Sequence, residues 1–387
     1  MIDSNRIVFV DALRGYALMG LFLIHMVEYF EIYWLHPEPG LVHTAMFGLF
    51  GGKAYAIFAL LFGLSFYIIL QRRAQSGQDF RGRFAWRVTL LLAMGYLHGL
   101  LYGGDILQLL AIAGFIVLPL WHAGTSTLLF VAIVCLLQVP TLLYFIAMDA
   151  NLPGGYTQPF FMQFAGPVLQ VYGHGGLGEV IGTNAIDGTL NKWAFMIESG
   201  RVSNIVGMAV LGCYLGRIAY FSNDDTRSRS RWISLGVLVA IVALLIVFQG
   251  VVADTVASVS AAWLGYNVVN TFTNNVLALA TIVLLLLLYQ WRYSRVALRL
   301  LAAPGRMSLT MYVAQSVLFV PFFYGFGLNA HAWIGQWRAL ALGIVCWIVL
   351  VACAHAWMRR FHYGPLEWLW RAATLTDRSV PFRQTPR

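Results

Sequence analysis

Long apolar runs, each about the length of a membrane-crossing helix, alternate with short polar segments along most of the chain. A helix of about 20 apolar residues spans the hydrocarbon core of a bilayer, because it rises about 1.5 Å per residue. The pattern predicts about ten such spans. They lie near residues 13–34, 48–70, 86–102, 105–122, 126–148, 203–221, 233–252, 267–290, 307–326 and 334–357.

The breaks between the spans predict how neighbouring helices are connected. The Gly-Gly pair at 103–104 and the HAG at 122–124 leave room only for tight turns, so the helices on either side form hairpins. The longest polar interval, residues 149–202, is rich in glycine and aromatic residues. It predicts a short amphipathic or re-entrant cover at the membrane surface.

Composition agrees with a protein whose main solvent is lipid. Of the 387 residues, 60% are hydrophobic and only 11% are charged, whereas a soluble domain has about 25% charged residues. The sequence therefore predicts an all-α, polytopic transmembrane helix bundle and no nucleic-acid partner. We expect one transmembrane domain over 1–372 and a flexible tail over 373–387. Asp3 and Asp11 interrupt the basic leader of a signal peptide, so the first span should remain as an anchor.

The net charge of +9 is distributed unevenly along the chain. With ten spans and both termini cytoplasmic, every Lys and Arg falls on the cytoplasmic side except Lys53, Lys192, Arg201 and Arg338. Basic residues are enriched in cytoplasmic loops, and adding or removing one span would scatter the arginines over both sides. The placement of charge thus predicts a multi-pass protein with both ends in the cytoplasm.

Three polar side chains are expected at similar depths inside otherwise apolar spans. His25 and His98 each lie about 16 Å along their helices from the arginine at the cytoplasmic end, and Gln315 lies about 13 Å from Arg306. Polar groups near the middle of a membrane are costly and tend to face the bundle interior. Each of the three is therefore a candidate for a functional site.

His98 and Asp105 are the predicted catalytic residues. Asp105 opens the helix that follows the Gly-Gly turn, so its carboxylate can orient the His98 imidazole as a general base or acid. Structural roles are the alternatives: His98 as a neutral hydrogen-bonded group between helices, and Asp105 as an N-cap. Glu28 lies one turn beyond His25 and is its expected partner.

Candidates for substrate binding lie at both ends of the bundle. Asp11 and Arg14 are spaced for a salt bridge at a helix start. Alternatively, Arg14 and Arg306 could contact the phosphates of a cytoplasmic co-substrate. In the outer segment, Glu179 and His174 lie close together among glycines and could contact a substrate on that side.

Other polar and reactive residues have simpler explanations. Asn267, Asn270 and Asn274 share one helix face and predict interhelical hydrogen bonds, with substrate contact as the alternative. Four cysteines lie inside apolar runs without metal-ligand spacing, so we expect free thiols and no metal: Cys135, Cys213, Cys346 and Cys353. The sequence contains no phosphate-binding loop, zinc-protease motif or nucleophile elbow.

Several motifs resemble the bacterial YeiB-like membrane family, a domain of unknown function. The similar stretches include RIVFVDALRGYALMGLFLIH, GGKAYAIFALLFGLSF, RVTLLLAMGYLHGLLYGGDILQLLAIAG, GRMSLTMYVAQS and RRFHYGPLEWLWR. His25 departs from the pattern, since the family more often has asparagine there. The resemblance implies a multi-pass protein of the bacterial inner membrane.

More distantly, the DALRG opening and the DILQLLAIAG run resemble transmembrane acyltransferases such as heparan-α-glucosaminide N-acetyltransferase. That resemblance implies transfer from cytoplasmic acyl-CoA to an acceptor beyond the membrane, such as a glycan, a lipid or a small metabolite. Those enzymes place a catalytic histidine near the outer end of the first hairpin, where His36 and His43 are the positional candidates.

Two other functions are open at this point. A polar layer inside the membrane also suits a proton-coupled transporter or a lipid-binding protein. His25 and His98 at matched depth could also be axial ligands of a b-type haem. The expected partners are membrane lipids and a small-molecule or glycan substrate, with a homodimer left open.

Overall fold

The computed structural model describes residues 4–38, 40–151, 156, 158–221, 228–255, 259–376 and 380–384. The first half contains helices α1 Ser4–Val27, α2 Leu41–Leu49, α3 Lys53–Gln75, α4 Arg81–Leu101, α5 Leu107–Val117, α6 Thr125–Leu136, α7 Val139–Asn151, α8 Met162–His174 and α9 Leu177–Ala185. The second half contains α10 Asp187–Glu198, α11 Arg201–Arg217, α12 Ser228–Thr255, α13 Val259–Leu288, α14 Arg292–Leu300, α15 Ala302–Arg306, α16 Ser308–Phe323, α17 Gln336–Met358 and α18 Pro365–Leu375.

The described helices include several of membrane-crossing length. Six are long and apolar enough to cross a membrane, and up to eight spans result if two bent helix pairs each count as one. The bent pairs are α6 with α7, at 48°, and α10 with α11, at 65°. The other two predicted spans coincide with α5 and α16, which are apolar but shorter. The described residues therefore form an all-helical fold with six to eight candidate spans of full length, and the two shorter helices leave the prediction of ten spans untested.

Glycines bring pairs of helices into backbone contact in the bundle. A Cβ atom at Gly63 on α3 would overlap the backbone of Ala209 on α11, and one at Gly212 would overlap the Leu60 carbonyl. A Cβ atom at Gly305 on α15 would likewise overlap the Asp11 carbonyl on α1. Small residues at such crossings let membrane helices approach closely, so α1, α3 and α11 form a tightly packed centre.

The predicted cover, residues 149–202, contains three complete helices among its described residues, α8, α9 and α10, where the sequence predicted one short amphipathic helix or a re-entrant cover. Helix α8 contacts the short 3₁₀ turn Ile32–Leu35, and α9 contacts α4. The segment therefore covers the end of the bundle where α1 and α4 finish.

The last described residues fold back onto the bundle. The isolated antiparallel bridge between Phe361 and Arg383 brings the Phe382 ring to 4.7 Å from the Phe361 ring, measured between centroids. Residues 377–379 and 385–387 of the predicted flexible tail lie outside the described residues. The four cysteines have free thiols, as expected.

Candidate functional site

A cavity of about 490 Å³ lies under the outer segment. Its wall combines the end of α1, the start of α3, the turn between α4 and α5, and parts of α8, α10 and α11. This volume falls within the range of about 300–1,000 Å³ that is usual for small-molecule sites. The lining is largely apolar, but it also contains a small set of ionisable side chains: His25, Glu28, Glu31, Lys192 and Arg201.

The chain leaves α1 through a strained turn that borders the cavity. Tyr29, Phe30 and Glu31 have left-handed backbone angles, with φ of 52°, 51° and 86°. Such a conformation costs about 1–3 kcal/mol for each residue other than glycine, so the surrounding structure must hold it. Phe30 is buried, and its carbonyl accepts a hydrogen bond of 3.1 Å from the Tyr324 hydroxyl. The turn places Glu28 and Glu31 along the same wall.

A chain of hydrogen bonds links His25 to Glu31 through Tyr102. The Tyr102 hydroxyl donates to Glu31 Oε1 at 3.0 Å and lies 2.9 Å from His25 Nδ1. Because a hydroxyl has one proton, a Tyr102 that donates to the Glu31 carboxylate must accept from His25 Nδ1–H. That arrangement leaves the lone pair of His25 on Nε2.

The two carboxylates of the turn influence each other. Glu28 Oε1 accepts a hydrogen bond of 2.7 Å from Trp34 Nε1, and its other oxygen lies 3.8 Å from His25 Nδ1. The predicted pairing of His25 with Glu28 is therefore present, although the Tyr102 hydroxyl is closer to the ring. Burial raises the pKa of Glu31, and the neighbouring Glu28 carboxylate raises it further.

The Gly-Gly turn has a second role at this site. A Cβ atom at Gly104 would overlap both the Tyr102 hydroxyl and the Glu31 carboxylate. Glycine is therefore needed here for close approach as well as for the short connection between α4 and α5.

Two basic side chains complete the lining of the cavity. Lys192 on α10 is only 6% exposed. Arg201 at the start of α11 places its guanidinium 4.6 Å from the centroid of the Phe195 ring and 5.5 Å from that of Tyr55. Its positive charge acts on the Glu31 carboxylate. The cavity therefore contains fixed charges of both signs.

The predicted catalytic pair is formed next to this cavity. His98 Nδ1 lies 2.8 Å from Asp105 Oδ1, and the Gln108 backbone N–H donates to Asp105 Oδ2 at 3.1 Å. Asp105 therefore both orients the imidazole and caps α5, so its two predicted roles coexist. Among the described residues, His98 Nε2 is buried and has no hydrogen-bond partner.

His98 and Asp105 lie behind the cavity wall instead of lining it. The Tyr312 ring, which does line the cavity, lies 5.2 Å from the His98 ring, measured between centroids. The Tyr312 hydroxyl accepts a hydrogen bond of 3.1 Å from the Ile106 backbone N–H. Tyr312 is therefore a lining side chain in ring contact with the imidazole, which itself lies outside the lining.

The predicted binding residues other than His25 lie away from the cavity lining. Asp11 and Arg14 form the expected ion pair, and Arg14 Nη2 also donates to Ser65 Oγ at 2.6 Å. Arg306 is exposed and acts electrostatically on Asp11, at the opposite end of α1 from His25. Gln315 is buried, and its Nε2 has no partner within the described part of the chain.

The remaining candidates have structural explanations. Exposed Glu179 accepts a 2.7 Å hydrogen bond from the Gly176 backbone N–H at the start of α9. His43 stacks on Phe47 with ring centroids 4.2 Å apart. Asn274 makes the interhelical hydrogen bond that its helix face predicted, since its Oδ1 accepts from Lys53 Nζ at 2.8 Å.

The exposed His36 and His174 side chains also lie outside the lining. Tyr102 lies close to both histidines that were candidate axial ligands of a haem. Its ring centroid is 5.4 Å from that of His25 and 6.0 Å from that of His98. Because this ring contacts both imidazoles, the arrangement does not favour a macrocycle held between them.

Sequence reasoning missed four members of the site: Glu31, Tyr102, Lys192 and Arg201. Lys192 and Arg201 carried a usable signal, because they are two of the few basic residues left on the outer side by the charge pattern. No sequence pattern distinguished Glu31 and Tyr102, since each follows an apolar run as an ordinary interfacial residue would.

The apolar helices indicate a membrane protein, and the cavity gives it a largely apolar site with a few ionisable side chains. A model of the family described as "Protein of unknown function (DUF418)" matches residues 215–377. The chain is similar to the uncharacterized protein YeiB of Escherichia coli (strain K12), 25% identical over 421 residues, which are 99% of this chain and 100% of that protein. It is also 25% identical over 403 residues to the uncharacterized protein YxaH of Bacillus subtilis (strain 168). The alignment covers 96% of this chain and 95% of that protein. These matches confirm the predicted resemblance to the YeiB-like family.

Proposed function

We propose that this chain is an acyltransferase of the bacterial inner membrane that uses cytoplasmic acyl-CoA and binds its acceptor in the outer cavity. The proposal includes about ten crossings with both termini in the cytoplasm, as the positive-inside pattern indicates. In that arrangement the short helices α5 and α16 complete their spans with flanking residues.

The observation that carries the proposal is the oriented His98–Asp105 pair. Asp105 holds Nδ1, so the proton-accepting lone pair lies on Nε2, and that atom has no competing partner among the described residues. A buried, carboxylate-oriented imidazole next to a ligand-sized cavity is suited to general-base catalysis.

The chemistry needs no covalent enzyme intermediate. His98 Nε2 accepts the proton of an acceptor hydroxyl or amine while its oxygen or nitrogen attacks the thioester carbonyl carbon. The C–S bond breaks, and the thiolate of CoA takes the proton back from the imidazolium. Holding the two substrates together supplies much of the rate enhancement. Tyr312 must turn aside for the acceptor to reach His98.

The proposed donor approaches from the end of the bundle that holds Asp11, Arg14 and Arg306. Arg14 lies about 16 Å along α1 from His25 at the cavity. Arg306 is exposed there and could contact a CoA phosphate. The pantetheine arm would carry the acyl group along that distance toward the cavity.

The test measures acyl transfer from labelled acetyl-CoA to a mixture of amino sugars and membrane lipids, with purified protein in nanodiscs. We expect His98→Gln to lower the rate by about 10²–10⁴-fold, the usual contribution of a general base. His25→Asn is the matched control and should mainly raise KM, because we assign His25 to binding. A His25→Asn protein without turnover beside an active His98→Gln protein would refute this assignment.

A second candidate is proton-coupled transport, which the carboxylate pair Glu28 and Glu31 favours. Two neighbouring carboxylates in a cavity can hold one proton between them, as a proton-coupled carrier requires. Counterflow of a solute in liposomes without acyl-CoA, abolished in Glu31→Gln, would favour the transporter. Labelled product that forms only when acyl-CoA is present would favour the enzyme.

A further inference from the structure

The ionisable side chains of the cavity have opposite charges and do not neutralise each other in pairs. The lining contains two carboxylates, Glu28 and Glu31, and two cations, Lys192 and Arg201. Within the described residues, no ion pair joins either carboxylate to either cation. Buried charges are normally paired inside the protein or by a ligand, so this arrangement is costly when the cavity holds only water.

Three of the four charged groups are held in place by contacts of their own. Trp34 Nε1 donates to Glu28, and the Tyr102 hydroxyl donates to Glu31. The Arg201 guanidinium stacks on aromatic rings of α3 and α10. These contacts involve groups other than the opposite charges of the cavity.

Lys192 is the most demanding of these groups. Its side chain is more than nine-tenths buried and lines the cavity, and no ion pair of its ammonium occurs among the described residues. Its contacts are a ring centroid of Trp193 at 5.9 Å and the charge of Asp105 behind the wall. Because an ammonium has three donors, an anion entering the cavity would stabilise this group.

We propose that the cavity binds a zwitterion, in which Glu28 and Glu31 hold a primary ammonium and Lys192 and Arg201 hold a carboxylate or phosphate. Such a ligand offers a counter-charge to both kinds of group at once, and the four residues sum to zero formal charge. The inference rests on the proposed function only in naming this zwitterion as the acyl acceptor. Binding itself requires no turnover.

A metal ion is the rival occupant. His25, Glu28 and Glu31 bring potential ligand atoms within 4.8 Å of one another. A divalent cation there would leave an excess of positive charge in a cavity that already contains Lys192 and Arg201. A singly charged ammonium balances the site better, because like charges repel strongly where water is limited.

The experiment titrates the purified protein in detergent with O-phosphoethanolamine by calorimetry. Ethanolamine, which lacks the anion, and glycerol 3-phosphate, which lacks the ammonium, are the single-charge probes. We expect the zwitterion to bind at least tenfold more tightly than either. In Lys192→Gln, O-phosphoethanolamine should bind no more tightly than ethanolamine. In Glu31→Gln, it should bind no more tightly than glycerol 3-phosphate. Glu179→Gln changes an exposed residue outside the cavity and should leave both differences in affinity unchanged.

Two sets of results would overturn the inference. One is equal affinity of the parent protein for all three probes, or an equal loss of affinity for all three probes in both variants. Either result would indicate that the charged residues have a structural role only. The other is saturable binding of Zn²⁺ that Glu31→Gln abolishes, with no zwitterion binding. Thermal unfolding of each variant checks that it is folded. Zwitterion binding without acyl transfer would refute the proposed function and leave this inference intact.

The same chemistry could come from a soluble metabolite or from the headgroup of phosphatidylethanolamine. Nanodiscs containing phosphatidylethanolamine or only phosphatidylcholine separate these sources. If O-phosphoethanolamine binds more weakly in nanodiscs that contain phosphatidylethanolamine, the lipid headgroup is the occupant. If it binds equally in both kinds of nanodisc, the ligand is soluble. Both results require that the zwitterion site exists.

Discussion

At the scale of single residues, the turn after α1 concentrates backbone strain and charge in one place. Tyr29, Phe30 and Glu31 adopt left-handed angles that side chains disfavour. Strain of this kind persists where surrounding contacts hold it, and it is commonly found at functional sites. Here the strained turn holds an acidic residue against a cavity that also contains basic side chains.

The first prediction concerns Glu31 and pH. Its pKa is raised by burial and by Glu28, so the folded state binds its proton more strongly than the unfolded state. Stability contributed by this group is fully present below the ordinary glutamate pKa and is lost as pH rises through the folded pKa. Glu31→Gln removes that loss. We expect the variant to melt at a higher temperature than the parent at pH 8 and at about the same temperature at pH 4.

The measurement is thermal unfolding in detergent at both pH values, with Glu179→Gln as the control. Since Glu179 is exposed on α9, its replacement should leave the pH profile of the melting temperature unchanged. A Glu31→Gln protein that loses stability equally at both pH values would contradict the argument.

At the scale of helices, glycine contacts and a side-chain cap determine how the elements fit together. Gly212 lets α11 lie against the Leu60 carbonyl of α3. At the other end of the chain, Glu367 on α18 accepts hydrogen bonds from the backbone N–H groups of Leu309 at 2.7 Å and Thr310 at 3.1 Å. The Glu367 carboxylate accepts hydrogen bonds from N–H groups that have no partner within α16. Its negative charge also interacts favourably with the helix dipole at the start of α16.

The second prediction tests the α3–α11 contact. Gly212→Ala places a methyl group into backbone and should destabilise the protein by about 1–3 kcal/mol, as overpacking does. Gly236→Ala on α12 is the matched control, because no atom lies within 4 Å of its added Cβ. That change should be neutral or slightly stabilising, since alanine favours helix over glycine. Equal melting temperatures for the two variants would contradict the close approach.

The third prediction concerns the cap at α16. Glu367→Ala removes the acceptor for two N–H groups at the helix start and for the Thr310 hydroxyl, so we expect a loss of about 1–3 kcal/mol. Denaturant unfolding in detergent measures it. Glu367→Gln keeps an acceptor oxygen and should recover part of the loss. If both variants unfold like the parent, the cap has no energetic role.

At the scale of the whole molecule, the outer segment and the bundle enclose the cavity together. Its charged residues come from the turn after α1, from α10 and from α11, which are far apart in sequence. Lys192 joins the acidic groups because α10 folds over the end of the bundle, whereas Arg201 comes from the start of α11. In the proposed topology this end faces away from the cytoplasm.

The fourth prediction tests that orientation in intact cells. In a cysteine-free background, Gly182→Cys on α9 should react with a membrane-impermeant maleimide, because this position has open space around it in the cover. Gln78→Cys, exposed in the connection between α3 and α4, should react only after permeabilisation. The reverse pattern would invert the proposed topology, and labelling of both positions in intact cells would rule it out.

Local patterns in the sequence were enough to predict several parts of the site. The hairpin around the Gly-Gly turn predicted the pairing of His98 with Asp105, and the structure contains that hydrogen bond. Helical spacing predicted the contact of His25 with Glu28. Both pairs are close in sequence, so the geometry of a helix or a tight turn fixes their separation.

Contacts between distant segments could not be predicted in this way. Gln315 and His98 share a predicted depth, yet the α16 residue that contacts the imidazole ring and lines the cavity is Tyr312, one turn earlier. Rotation of a helix about its axis is set by packing against its neighbours, and a single sequence does not contain that information.

By itself, the sequence determined that this protein is helical and apolar, with its basic residues concentrated in a few connections between apolar runs, because hydrophobicity and charge act on each segment separately. The tertiary structure decided which polar groups share a cavity. It placed Glu31 and Lys192 in one lining and left His98 behind the Tyr312 ring, since a strained turn and a folded-over helical cover bring together residues that no local pattern connects.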